Sequence, residues 1–205
     1  KKDDHDDHDD HDHGKHKKKD DHDDHDDHAG HEGHDHGEHD PHAWLSPGIA
    51  KAWLNLIAAK LSEVDPNNAS TYFSNASSAI KDLDTLSDEI NKILDPIRKE
   101  KFVVFHDAYQ YFEKRFDVNV LGAFTVNTDV MPGAEQLAEI REIIEHDKVS
   151  CVFSEPQFNP DIINAVAKDM NISTGVLDPL GATLNPGKDL YFDLISNMSK
   201  SFKGC

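Results

Sequence analysis

Imidazoles and carboxylates crowd one end of this 205-residue chain: thirteen of its 15 histidines lie in the first 42 residues, threaded through a run of aspartates. Asp-Asp-His triplets end at His5, His8 and His11 and again at His22, His25 and His28, with His13 and His16 between the two runs. His31, His34, His36, His39 and His42 follow at short spacing. Neutral imidazole and carboxylate are both good ligands for borderline divalent ions such as Zn²⁺, Ni²⁺ and Cu²⁺. A segment that supplies both at about every third residue reads as a metal-binding tract; the plainer reading is a solvated acidic tail.

The composition of residues 1–42 supports a separate, unpacked segment. It contains no Val, Ile, Leu, Met, Phe, Trp or Tyr, and its 17 acidic and 6 basic side chains carry 11 of the 19 net negative charges. With no apolar surface to bury it cannot offset its conformational entropy, so disorder in the absence of metal is expected. A period of three also suits no single helix face, because each step falls about 60° short of a full turn. The overall charge of −19 argues against nucleic acid and for cations as partners. No run of 18 apolar residues is present, so no transmembrane span is expected. The chain starts inside the tract without an initiator Met or a signal peptide, which suggests that an N-terminal portion precedes it.

From Ala43 onward the pattern is that of a globular protein. Ser46 is placed as an N-cap with Pro47 at the first helical position, and Ala50, Trp53, Leu54, Ile57, Ala58 and Leu61 recur at helical spacing. A second start signal at Asp65-Pro66 opens a longer apolar stripe, from Phe73 through Ala76, Ile80, Leu83, Ile90 and Leu94 to Ile97. This predicts a helix of about 30 residues and 45 Å, with Pro96 disturbing its end. Four short strands follow, near 101–105, 118–124, 149–153 and 172–177, alternating with helices near 108–116, 132–146, 160–170 and 189–202. Strands alternating with helices imply right-handed crossovers and a parallel α/β sheet.

In such sheets ligands bind beyond the C-terminal strand ends. That singles out His106 after the first strand, Glu155 after the third and Asp178 after the fourth, a set able to hold a divalent cation. Each also has a structural reading: an incidental histidine, a cap before Pro156, a turn at Asp178-Pro179. His42 stands apart from the other tract histidines because Trp44-Leu45 can anchor it. His146 reads as a contact with a helix C-terminus. Cys151 and Cys205 belong to no Cys-x-x-Cys pair. They fit either buried thiols in a reducing compartment or a disulfide in an oxidising one, closing a loop of about 55 residues worth roughly 4 kcal/mol.

Four segments carry a family resemblance: Asp40-Pro-His-Ala-Trp-Leu-Ser-Pro47, Phe105-His-Asp-Ala-Tyr-Gln-Tyr-Phe-Glu113, Ser154-Glu-Pro-Gln-Phe158 and Leu177-Asp-Pro-Leu-Gly181. With the terminal Cys they resemble the periplasmic zinc-binding receptors of ABC importers, the ZnuA family. The resemblance implies two α/β lobes bridged by a rigid helix, with Zn²⁺ held between them and passed to a membrane permease. Its divisions fall at 1–41 (His/Asp-rich metal-binding loop), 42–65 (end of an otherwise missing first lobe), 66–100 (linking helix) and 101–205 (second lobe, with the four-stranded parallel sheet). Its ligands map onto His42, His106 and Asp178, with water as the alternative to Asp178 and a further histidine from the missing lobe. The remaining twelve tract histidines become weaker accessory sites, and the family's disulfide maps onto Cys151 and Cys205. A monomer without catalytic activity is implied. Manganese-binding relatives are expected to have a carboxylate where His106 stands, so the imidazole favours zinc. A manganese receptor, a metal-binding adhesin on the same scaffold and, more remotely, a zinc hydrolase using His106, Asp178 and Glu155 are the alternatives.

Overall fold

The computed structural model describes residues 40–205. The tract histidines His5, His8, His11, His13, His16, His22, His25, His28, His31, His34, His36 and His39 lie outside the described residues.

The first segments are helical. Ala43–Leu45 forms one 3₁₀ turn and runs into α1, Pro47–Val64. Pro47 takes the first helical position, where its missing N–H costs nothing. Ser46 stands at the N-cap, but it caps through its carbonyl, which accepts the N–H groups of Ile49 and Ala50 (both 3.0 Å), and its hydroxyl makes no capping bond. The long helix, α2, runs Ala69–Leu94 between 3₁₀ turns at Pro66–Asn68 and Asp95–Ile97. It is therefore shorter than the expected helix of about 30 residues, at 26 residues and roughly 39 Å, because a proline stands in the 3₁₀ turn at each end. Its buried side, Ala76, Leu83, Leu86, Ile90 and Leu94, matches the predicted spacing, whereas Phe73 at its start is exposed. The face of α1 departs further from its periodicity. Ala58 is buried, but Trp53, Ile57 and Leu61 are exposed, as are Leu56 and Val64. Among the described residues nothing covers them.

The sheet consists of β1 (Lys101–His106), β2 (Asn119–Thr125), β3 (Cys151–Ser154) and β4 (Ser173–Val176), all parallel, in the order β2-β1-β3-β4. The helices are α3 (Gln110–Phe116), α4 (Ala134–Asp147), α5 (Asp161–Met170) and α6 (Leu190–Gly204). Each observed boundary of these strands and helices falls within two residues of the sequence reading. Alternation along β1 assigns its two faces. Phe102 and Val104 join Leu83, Ile90, Phe112, Phe116, Ile195 and Phe202 in a core under α2, α3 and α6. Val103 and Phe105 join Ile140, Ile144, Ile163 and Val166 under α4 and α5. With both faces covered, the central strand reads as a continuous apolar run instead of an alternating one.

Cys151 at the start of β3 and Cys205 after α6 form a disulfide, Cα atoms 5.8 Å apart, tying the last helix to the sheet. It closes a loop spanning a sequence separation of 54. Replacing Cys205→Ser should lower unfolding stability by about 4 kcal/mol at most, read from denaturant midpoints. Reducing the intact chain should reproduce that loss, and an intact chain whose unfolding midpoint is unchanged by reductant would show the cross-link to be energetically idle.

Candidate metal centre

The strand order decides where chemistry can sit. The chain leaves β1 toward α3 on one face and β3 toward α5 on the other, so a crevice opens between the C-terminal ends of these two neighbours. Phe102 pairs with Cys151 and Val103 with Val152. Extending that register brings His106, the last residue of β1, opposite Glu155, just beyond β3. The imidazole Nδ1 lies 2.8 Å from Glu155 Oε1 and 3.0 Å from Oε2. Glu155 is buried, its side chain 1 % exposed, and its Oε1 also accepts the hydroxyl of the fully buried Tyr109 (2.9 Å).

His42 reaches the same crevice from the other end of the chain. The 3₁₀ turn that carries it is fastened on three sides. Leu45 is fully buried in the core, the Trp44 indole N–H donates to the Pro179 carbonyl (2.9 Å), and the Tyr191 hydroxyl donates to the Trp44 carbonyl (2.8 Å). Asp40 Oδ1 accepts the His42 backbone N–H (2.9 Å) and lies 2.8 Å from His42 Nδ1. The Asp40 carbonyl accepts the Tyr111 hydroxyl (3.2 Å). The two imidazoles thus turn their Nε2 atoms toward each other at 3.4 Å, rings 5.2 Å apart and inclined by 66°.

Asp178 has a different local task. Its Oδ1 accepts Gln157 Nε2 (2.7 Å) and the backbone N–H groups of Gly181 (2.9 Å) and Leu180 (3.2 Å). This is an Asx-type turn that Gly181 completes at φ +71°. Of the three ligands the sequence suggests, the structure brings His42 and His106 together, while Asp178 braces the neighbouring turn. Among the described residues no three His, Cys, Asp or Glu side chains converge closely enough to hold an ion. Glu155, read as a possible ligand, instead faces the far nitrogen of His106. His146 is exposed near the end of α4, 3.8 Å from Asp147. Sequence reasoning gave no role to Asp40, Tyr109 or Gln157. A signal was present only for Asp40, whose position two residues before His42 suits a side-chain bond to the backbone N–H.

The surroundings are acidic. Burial, with the negative charges of Glu155 and Asp178, holds the Tyr109 hydroxyl well above the ordinary phenol range, so it remains a donor. Glu113 on α3 is pushed up to about 8, chiefly by burial and then by the Asp107 carboxylate, against a smaller opposing pull from Lys114, with Asp40 adding least. Tyr191 is raised by burial.

These features describe an α/β lobe with a two-imidazole site at its sheet switch point, a class to which solute receptors for metal ions belong. The family model described as "Zinc-uptake complex component A periplasmic", ZnuA, matches residues 2–205, and the chain belongs to that family. It is 44 % identical over 166 residues to the high-affinity zinc uptake system protein ZnuA of Brucella abortus, an alignment covering 81 % of this chain and 50 % of the relative. A solved structure of ZnuA superposes with TM-score 0.71 at 28 % identity, over 80 % of this chain and 59 % of that one. The laminin-binding adhesin of Streptococcus agalactiae, in a mutant structure, gives TM-score 0.72 at 29 % identity, over 80 % and 62 %. The chain spans about half the length of the curated relatives it matches.

Glu113 gives this site a pH signature. Its folded-state value lies above the 4.5 of an ordinary glutamate, so the native chain holds a proton that the unfolded chain releases. Stability therefore falls as pH rises from about 4.5 to about 8. Glu113→Gln should match the parent below that window and outlast it increasingly through it, by about 1.4 kcal/mol per pH unit. Denaturant unfolding of both proteins across the window checks this; parallel profiles would refute it.

Proposed function

We propose that this chain is the long-helix and second-lobe portion of a receptor that captures Zn²⁺ in the periplasm and delivers it to the membrane permease of an ABC importer. The observation that carries the reading is the pair of facing Nε2 atoms at 3.4 Å. Two Zn–N bonds of about 2.0–2.1 Å at the tetrahedral angle place their nitrogens about 3.3–3.4 Å apart, so the two imidazoles already stand at a zinc bite. Zinc is the cargo, with His42 and His106 as two of its ligands. A third comes from a first lobe to which residues 42–65 belong, and Asp178 or water completes the set. That lobe would also cover the exposed apolar side of α1. Residues 66–100 then link the lobes, residues 101–205 form the second, and the receptor acts as a monomer.

The tract of residues 1–41 serves in this reading as an accessory store. A segment whose composition supplies no apolar surface to pack would lose chain entropy on gathering around an ion, so its sites would bind less tightly than a bite already held by the fold. No catalytic step is assigned. A zinc hydrolase needs an acid–base group aimed at an open coordination position, and Glu155 commits its oxygens to His106 and Tyr109. The likeness to the laminin-binding adhesin favours a second reading, metal-dependent adhesion on the same scaffold.

Zinc titration of the chain, of a version lacking residues 1–39 and of His106→Ala tests the proposal. Removing the tract should delete several weak equivalents and spare one tighter site, whereas His106→Ala should delete the tighter site and spare the weak ones. Loss of the tighter site on tract deletion alone would overturn it. Zinc-dependent binding to permease-bearing vesicles, without retention on immobilised laminin, separates the receptor from the adhesin.

A further inference from the structure

We propose that Asp40 and Glu155, the latter braced by Tyr109, are positioning residues that lock His42 and His106 in the Nδ1–H tautomer and so hold two bare Nε2 lone pairs at the metal bite before any ion arrives. The inference rests on the zinc reading of this site and adds a device that makes the bite possible.

The argument starts from donors and acceptors. A neutral imidazole carries one N–H, and a carboxylate can only accept. Glu155 is enclosed, with both oxygens within 3.0 Å of His106 Nδ1 and Oε1 also taking the Tyr109 hydroxyl. With its side chain 1 % exposed it has almost no water to turn to, so a lone pair on Nδ1 would leave its charge facing a second acceptor at close range. The proton therefore sits on Nδ1, and Nε2 is left bare. The same logic holds at His42. Asp40, its side chain 9 % exposed, already receives the His42 backbone N–H on Oδ1, and the ring adds Nδ1–H to the same oxygen.

The consequence is a deliberate mismatch. Two Nε2 lone pairs face each other at 3.4 Å with no proton between them, a repulsive arrangement that a cation relieves. The supporting charges point the same way. Asp40 Oδ2 is buried without a hydrogen-bond partner, and the two carboxylates behind two neutral rings sum to two negative charges, the complement of a divalent ion. Such outer carboxylates fix ring orientation and raise ligand basicity, and losing one costs on the order of 10–100-fold in metal affinity.

The test is ¹⁵N–¹H correlation of the imidazoles in the full metal-free chain near neutral to mildly alkaline pH, followed by zinc addition. Expected is the Nδ1–H pattern at both His42 and His106, although free imidazole side chains favour the proton on Nε2. In Glu155→Gln the amide can donate as well as accept, so His106 should lose its single tautomer while His42 keeps it. Asp40→Asn should do the converse. Each variant should lower zinc affinity at this pair by about 10–100-fold. Tyr109→Phe, which removes only the brace, should have the same direction with a smaller effect. An Nε2–H signal at either histidine of the parent chain would overturn the proposal without need of any variant, as would unchanged zinc affinity in folded Glu155→Gln and Asp40→Asn. If the tautomers are as expected but zinc moves neither imidazole's signals, the zinc reading fails and the lock itself stands.

Discussion

The bond between His106 and Glu155 is the contact on which the site depends. It spans the ends of the two central strands, where the crossover direction reverses. Strand register alone brings the two residues opposite each other, so the imidazole is held by the stiffest part of the fold. The rest of the lobe serves that placement. Aromatic packing of Phe102, Phe153 and Phe202 fills one side of these strands, and the disulfide ties α6 across the same face. His42 has no strand to hold it. It relies on the buried Leu45, on the Trp44 indole bond to the Pro179 carbonyl and on the Tyr191 hydroxyl at the Trp44 carbonyl.

The site is built at some cost to stability. Glu155 is buried, Asp40 is partly buried with its Oδ2 shut off from solvent, Glu113 and Asp107 lie in the same acidic neighbourhood, and the raised Glu113 carboxyl shows how strongly burial and its neighbours resist another negative charge. A protein selected for stability alone would neutralise such a cluster with apolar or basic residues. Left as it is, the cluster produces a field that concentrates cations at the point where two imidazoles face each other. The same logic acts at longer range in the net charge of −19.

The parallel α/β sheet was legible because its strands are short apolar runs punctuated by turn residues, and their alternation with helices permits few topologies. His106 and Glu155 were legible as strand-end residues, and His42 as the tract histidine next to an apolar anchor. Less visible was the division of labour among the acidic residues. Glu155 and Asp178 both follow a strand end, yet one backs an imidazole and the other caps a turn, because Gln157 and the N–H groups of Leu180 and Gly181 reach Asp178 first. The α1 stripe marked a helix correctly but carried no information on burial, since periodicity reports that a face is apolar and not whether anything among the described residues covers it.

Sequence by itself determined the chain's wealth of metal-ligating residue types, its acidic field, its α/β class and the two histidines, His42 and His106, on which the proposed site rests, because residue type and local spacing carry that information. Tertiary structure decided which nitrogen of each ring faces the crevice and the 3.4 Å between them. Those quantities are set by contacts between His42, His106, Asp40, Glu155 and Tyr109. Across the crevice His42 and His106 stand 64 positions apart, and Glu155 lies 49 beyond His106, separations over which no local pattern extends.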